Sequence, residues 1–370
     1  MSLRFPGARR ILLIKPSSLG DVVHALPVLA ALRKAYPAAH LAWLVSTSFA
    51  PLLAGHPLLD EVIPFDRRHY GRMLRSLHSA ADFLGFCRGL RRRRFDLVID
   101  LQGLFRSGFL AWVSGAPARV GPRAAREGGA LFYSLRVDEP PPRADSRSDT
   151  GDVHAVERNL HIARALGLDV SVPAFPLALR ADELVSADAK LTQAAGQPLP
   201  RFIAALPGAR WASKRWPATH WAALLDALHA AGLPPTVLLG GPDERGEADA
   251  IIAATRAPLV DLVGRTSLRE LTAVLARAAL VVCMDSGPMH IAAALTRPLV
   301  ALFGPTNPGR TGPYSDTAHV VRLALPCSPC YARRCPLGHQ DCLRTLDVQR
   351  VRAAVLEQWR RAAAAFVGAS

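Results

Sequence analysis

Short apolar runs alternate with amphipathic stretches along the whole chain, in two successive sets, and no other feature narrows the fold as much. In the first half the runs are Ile11–Lys15, His40–Ser46, Glu61–Phe65, Asp96–Leu101 and Ala118–Gly121. Helical patterns fall between them, among them Val22–Tyr36, and that alternation is the signature of a parallel sheet covered by helices. The Pro- and Ser-rich stretch Asp138–Asp152 reads as an exposed loop, and His154–Gly167 is again helical. The second half repeats the pattern with strands at Phe202–Leu206, Thr236–Leu239, Leu259–Val263, Leu280–Met284 and Leu299–Phe303. The expected class is α/β: two Rossmann-like domains with parallel sheets facing a central cleft, ligands lying at the carboxyl ends of the strands. The expected domains are 1–175 and 176–347, followed by a helical tail, 348–370, that packs back on the first domain.

A chain of 370 residues, half of them hydrophobic, is long enough for two cores. Its longest apolar stretches, such as Ala278–Met284, are far shorter than the roughly 20 residues of a membrane span. The first apolar run is too short for a signal peptide and reads as a strand, so a cytoplasmic protein is expected. The net charge of +15 points to a polyanionic partner. Basic clusters at Arg67–Arg75 and Arg91–Arg94 lie in the first half without zinc-finger spacing or RNA-binding aromatics, which argues against nucleic acid. A GC-rich genome also produces such arginines; the sharper reading is a basic half that faces an anionic, lipid-linked partner.

Four loops after strands carry the candidate chemistry. Asp285, Ser286 and Gly287 end a buried strand, and Pro288 suits the first position of a helix that includes His290. The free N–H groups of that turn suit a diphosphate at the positive end of the helix dipole; a plain Asp/Ser cap explains the same residues. Arg210 and Lys214 follow another strand, where Lys214 would neutralise a phosphate as a point charge or simply be solvated. Asp243 follows Gly240-Gly241, where it would accept from a ribose diol or cap a helix. No GxGxxG and no Walker A sequence follows any strand, which disfavours a dinucleotide oxidoreductase. In the first half, Asp21 stands at a helix start after "SSLG", where a phosphate loop would hold its ligand. Opposite the phosphate loops it would take a proton from an incoming hydroxyl; as a first-turn residue it would only cap. His24, one turn on, reads as a partly buried histidine.

Cys87 and Cys283 are isolated among apolar residues, whereas Cys327, Cys330, Cys335 and Cys342 cluster near His339. A CxxC pair plus two thiols suits a structural zinc or iron, and equally four free thiols in a loop.

Together the motifs "IKPSSLGDVVHALP", "DLVIDLQGLFRSG", "AREGGALFYS", "HAVERN", "KRWP" and "MDSGPMHIAAAL…FGPTNP" resemble the bacterial ADP-heptose:lipopolysaccharide heptosyltransferases, glycosyltransferase family 9. The resemblance covers most of the chain. It implies a GT-B fold, an inverting transfer of heptose from ADP-heptose to an anionic, lipid-linked inner-core acceptor at the inner membrane surface, and no cofactor for catalysis. By the same resemblance Asp21 matches the general base and Lys214 the phosphate-binding lysine. On the donor side, Asp243 matches a ribose contact and Asp285 a donor-sugar contact; Ser286, Gly287 and His290 match the diphosphate turn, which includes Pro288, and Arg210 joins them. Arg126 matches an acceptor-binding arginine, with Ser18, Gly20 and Gln102 on the same side. The cysteine cluster loosely resembles the iron-binding finger of relatives that modify proteins. Another nucleotide sugar, a protein acceptor, an epimerase or hydrolase on the same fold, and a metal-bearing binding protein stay open at this point.

Overall fold

The computed structural model describes residues 5–72, 75–141 and 152–367. They form two compact units. The first holds the described residues up to 141 and 153–178; the second holds residue 152 and those from 179 onward.

The first unit is a six-stranded sheet of β1 (Arg10–Ile14), β2 (His40–Ser46), β3 (Glu61–Phe65), β4 (Leu97–Asp100), β5 (Ala118–Pro122) and β6 (Leu135–Val137). Its helices are α1 (Leu19–Val23), α2 (Leu26–Ala35), α3 (Ala50–Leu53), α4 (Arg67–Tyr70), α5 (Leu77–Arg92), α6 (Phe105–Val113) and α7 (Ala155–Ala165). The strands run in the order β3-β2-β1-β4-β5-β6. Every pair is parallel, with Leu12 opposite Ala42 on one side and Val98 on the other.

The second unit repeats the plan with β7 (Ile203–Leu206), β8 (Thr236–Leu238), β9 (Leu259–Asp261), β10 (Leu280–Met284), β11 (Leu299–Phe303) and β12 (Ala318–Arg322). Its helices are α8 (Ala181–Ala195), α9 (Ala218–Ala230), α10 (Arg245–Ala254), α11 (Leu268–Arg277), α12 (Gly287–Ala294), α13 (Pro308–Thr311), α14 (Asp341–Arg344) and α15 (Val348–Val367). The order β12-β11-β10-β7-β8-β9 is the first sheet's order read from the other edge. Each sheet therefore reverses direction once, between β1 and β4 and between β7 and β10. That crevice is where open α/β sheets bind ligands.

Central strands are apolar runs because helices cover both their faces: β10 and β11 are buried at every position. Two edge strands were not predicted: β6 is three residues with an exposed arginine at its centre, and β12 is interrupted by a histidine and buried only at Val321. The single helix expected over 22–36 is split after Val23. Pro27 has no N–H to give the carbonyl of Val23, and α2 restarts with this proline in its first turn. In the helical tail, Val351, Ala354 and Val355 join the second unit's core under β10 and β11 and against α9. The expected loop at 138–152 falls largely outside the described residues. Among the described residues no helix is long and apolar enough to cross a membrane.

Candidate functional site

At the first sheet's reversal, the chain leaving β1 meets the chain leaving β4. The buried Asp100, last residue of β4, accepts from the N–H of Gln102 at 2.8 Å and of Gly103 at 3.3 Å. Its other oxygen accepts from the Tyr133 hydroxyl at 2.6 Å. Burial raises the Asp100 carboxyl, against the pull of these donors, and burial beside the Asp100 charge raises the Tyr133 phenol. This turn aims Gln102 at the β1 loop, where its Oε1 accepts from the N–H of Ser17 at 3.3 Å. The two loops, with Ser46, Phe65, Arg67, Leu104, Arg106, Ser107, Leu110 and Glu127, line a cavity of about 100 Å³ at the carboxyl ends of β1 to β4.

Asp21 lies in the first turn of α1. Its Oδ2 accepts from the Ser18 N–H at 2.7 Å and from the Ser18 hydroxyl at 2.9 Å, closing a capping box. The capping role is thus realised by one carboxylate oxygen, while Oδ1 accepts from none of the described residues. Gly20 is buried in the same turn. His24 is buried, 5.3 Å from the His154 ring, and its carbonyl accepts from Asn159. Arg126 is exposed and ties the segment to the β4 loop through its N–H and the carbonyl of Gly103 at 2.9 Å.

At the second sheet's reversal, the loop after β7 meets the end of β10. Lys214 Nζ stands 2.6 Å from Asp285 Oδ2, with side-chain exposures of 16% and 6%. The same Oδ2 accepts from the Thr306 hydroxyl at 2.5 Å. The Lys214 ammonium also lies 4.6 Å from the Trp211 ring centroid. Ser286 precedes α12 in extended conformation and caps no N–H with its side chain; its buried hydroxyl makes no hydrogen bond within the described residues. Pro288 is in the first turn, and His290 is buried within α12. The plain-cap alternative is therefore not what the structure contains. The positive end of α12 stands beside a cation, a hydroxyl and a carboxylate, an arrangement suited to a phosphorylated ligand.

Arg210 is exposed on the same β7 loop, and Asp243 is exposed in the 3-10 turn Pro242–Glu244. Glu244, next to it, lies down over Gly208 and Gly240: a Cβ on Gly208 would come within 2.0 Å of its carboxyl carbon. Its Oε2 accepts from the Gly241 N–H at 2.8 Å. Below it, burial pushes the Glu247 carboxyl from its ordinary 4.5 up to about 7; Arg215, 3.3 Å away, pulls the other way and Glu244 adds to the rise. The folded value exceeds the unfolded one, so this group costs nothing below 4.5 and destabilises increasingly until the pH passes about 7. Glu247→Gln is expected to remove that slope. It should raise stability at pH 8 by about 1–2 kcal/mol, discounted for partial exposure, and change nothing at pH 4. Thermal melts of both proteins across that range check it.

The cysteine segment braces both loops of this half-site. The Cys330 and Tyr331 N–H groups donate to the Pro305 carbonyl at 3.1 and 2.8 Å, and the Ser328 hydroxyl to that of Gly304 at 2.6 Å. On the other side the Ser213 hydroxyl donates to the Ala332 carbonyl at 2.6 Å, and Gln340 Nε2 to the carbonyls of Ala212 and Arg215. Burial, reinforced by Cys330, Cys327 and Cys335, pushes the Cys342 thiol up to about 11. Among the described residues no three His, Cys, Asp or Glu side chains converge closely enough to hold a metal ion. The tetrahedral site that the spacing allows is not formed in this arrangement.

Of the residues singled out in the sequence, the structure joins Lys214 with Asp285, and Gln102 with the loop that leads to Ser18 and Asp21. It leaves Arg210, Asp243 and Arg126 at the surface. Thr306 and Arg106 were missed. Thr306 lies in "FGPTNP", just beyond β11, and Arg106 at the start of α6, within "LFRSG"; membership of those motifs was their only signal.

The model of glycosyltransferase family 9 (heptosyltransferase) matches residues 83–340. Lipopolysaccharide heptosyltransferase 1 of Pseudomonas aeruginosa is 34% identical over 329 residues, covering 88% of this chain and 87% of that protein. E. coli heptosyltransferase WaaC, solved with ADP, superposes with a TM-score of 0.71 at 28% identity, covering 94% of this chain and 99% of that one. The family 9 structure from Veillonella parvula shares the fold at a TM-score of 0.79 and 24% identity, over 95% and 98% of the two chains. With two parallel Rossmann-like sheets of the GT-B class, the chain belongs to glycosyltransferase family 9, the heptosyltransferases, and is a glycosyltransferase.

Proposed function

We propose that this enzyme transfers a heptose from ADP-heptose to the inner core of lipopolysaccharide, on an anionic, lipid-linked acceptor at the cytoplasmic face of the inner membrane. The observation that carries the reading is the Lys214–Asp285–Thr306 cluster beside the uncapped start of α12. The names of the relatives support it: lipopolysaccharide heptosyltransferase 1, and a WaaC structure with ADP.

In this mechanism the ammonium of Lys214 and the N–H groups at the start of α12 hold the diphosphate, and Asp285 fixes where that ammonium stands. Arg210 and Asp243 complete the donor side. The acceptor hydroxyl attacks the anomeric carbon as the bond to the β-phosphate oxygen breaks. Its electron pair leaves on ADP, where the cation and the helix dipole stabilise the new charge. Asp21 Oδ1 takes the hydroxyl proton, and one displacement inverts the anomeric centre. Gln102, Arg126 and the first unit's cavity hold the acceptor, with Ser18 and Gly20 shaping the turn beside it. The segment of Cys327, Cys330, Cys335 and Cys342 braces the two donor loops through its own hydrogen bonds, and a zinc or iron ion would bind there only if the thiols drew together. Elemental analysis of the purified protein reads whether one is present.

A ligand that binds only the folded state raises the melting temperature. ADP and ADP-heptose are expected to protect this protein by several degrees at 100-fold over their Kd, and a UDP-sugar much less. Equal protection by both nucleotides, or ADP-heptose left unconsumed with a lipid-linked inner-core acceptor, would overturn the reading.

A further inference from the structure

The first unit carries an apolar surface that the transfer chemistry does not use. Four large side chains from three elements are open to solvent: Leu84 of α5 and Trp112 of α6 are each 53% exposed, Phe105 of α6 is 49% exposed, and Leu131 of the 3-10 turn Arg126–Phe132 is 77% exposed. They do not stand singly. A ladder of rings beneath them joins the elements: Phe83 to Phe109 at 6.3 Å, Phe109 to Phe132 at 5.9 Å, Phe105 to Phe132 at 5.2 Å and Trp112 to Phe132 at 6.4 Å. Two backbone approaches hold the ridge rigid. A Cβ on Gly108 would lie 2.6 Å from the Gly129 carbonyl oxygen, and one on Gly129 would lie 2.8 Å from the Leu104 backbone.

Charge on the same elements is one-sided. These elements carry Arg88, Arg91, Arg92, Arg106 and Arg126 against two carboxylates, Asp82 and Glu127, and Asp82 is engaged by His69 at 2.8 Å and His78 at 3.2 Å. On α5, Leu84, Arg88 and Arg91 are four and seven residues apart and share one face of the helix. An exposed aromatic ridge rimmed by arginines matches the boundary of an anionic bilayer: rings enter the acyl edge and guanidinium groups meet headgroup phosphates. The ridge and the cavity share α6: Phe105 belongs to the ridge, and Arg106, Ser107 and Leu110 of the same helix line the cavity.

We propose that this ridge docks the enzyme on the surface of an anionic phospholipid bilayer, with the cavity mouth beside the headgroups. The inference deepens the functional reading, resting on its lipid-linked acceptor, and it names the surface that reaches the lipid.

The test is sedimentation of the full chain, without donor or acceptor, with vesicles of phosphatidylethanolamine and phosphatidylglycerol and with vesicles of phosphatidylcholine alone. Wild type is expected to favour the anionic vesicles, and less so at 0.5 M salt. The triple variant Leu84→Ser, Trp112→Ser, Leu131→Ser should bind them at least about tenfold more weakly while keeping its circular dichroism and its activity on an acceptor stripped of acyl chains. If the triple variant does not fold, Leu131→Ser alone carries the test, its side chain being mostly in water. Vesicle binding unchanged in the variants overturns the proposal. So does loss of a dimer by the variants without loss of vesicle binding. Wild type that transfers no heptose yet docks through these residues would sink the proposed reaction and leave the docking surface standing.

Discussion

Asp21→Asn is expected to lower kcat by about 10²–10⁴-fold, the usual contribution of a general base, while the protein stays folded and binds ADP as wild type does. The asparagine is chosen for a structural reason. Asp21 holds its own turn through Oδ2, which accepts from both the N–H and the hydroxyl of Ser18. An amide oxygen keeps those bonds but cannot take a proton. Asp21→Ala loses both functions and should cost a further ~0.5–2 kcal/mol of stability for the missing cap. The two variants together separate capping from catalysis. If Asp21→Asn turns over within about threefold of wild type and Asp21→Ala differs from it only in stability, this carboxylate is a cap and the base lies elsewhere. Single-turnover rates with saturating donor, beside ADP titrations, read both.

The second large effect belongs to Lys214. Its ammonium and the Asp285 carboxylate form a pair that is almost wholly enclosed, and Thr306 supplies the carboxylate with one more donor. Removing the cation strands a charge in a medium that solvates it poorly. Lys214→Met is expected to destabilise the protein by about 2–4 kcal/mol, towards the low end for a buried pair because the lysine retains some exposure. ADP should also bind about 10–100-fold more weakly, the worth of a hydrogen bond to a charged group. Lys214→Met combined with Asp285→Asn removes both charges and should recover most of the stability but none of the ADP affinity. Recovery of affinity along with stability would show that the lysine acts on the fold alone. Denaturant melts and calorimetric ADP titrations of the three variants decide between these.

Much of this protein was legible in the residue order. Central strands announce themselves because both faces are buried, so β1, β10 and β11 are almost unbroken apolar runs. The alternation of such runs with helical stretches dictates a parallel sheet, and its repetition dictates two. Each chemical motif was also visible, because each interrupts the pattern directly after a strand. The edge strands β6 and β12 were not, since an arginine breaks the three residues of one and a histidine the other.

Pairing was beyond the sequence. Lys214 and Asp285 stand 71 positions apart, and Gln102 is 85 from Ser17; nothing local ties either pair together. They meet because β7 lies beside β10, and β1 beside β4, at the point where each sheet reverses. The same holds for the aromatic ridge. Its rings are unremarkable along the chain, and only the packing of α5, α6 and the Arg126–Phe132 turn brings them together. The residue order determined which types of group follow which strand, because burial and backbone chemistry act locally. Tertiary structure alone decided which of them share a site, because adjacency in a sheet depends on strand order rather than on distance along the chain.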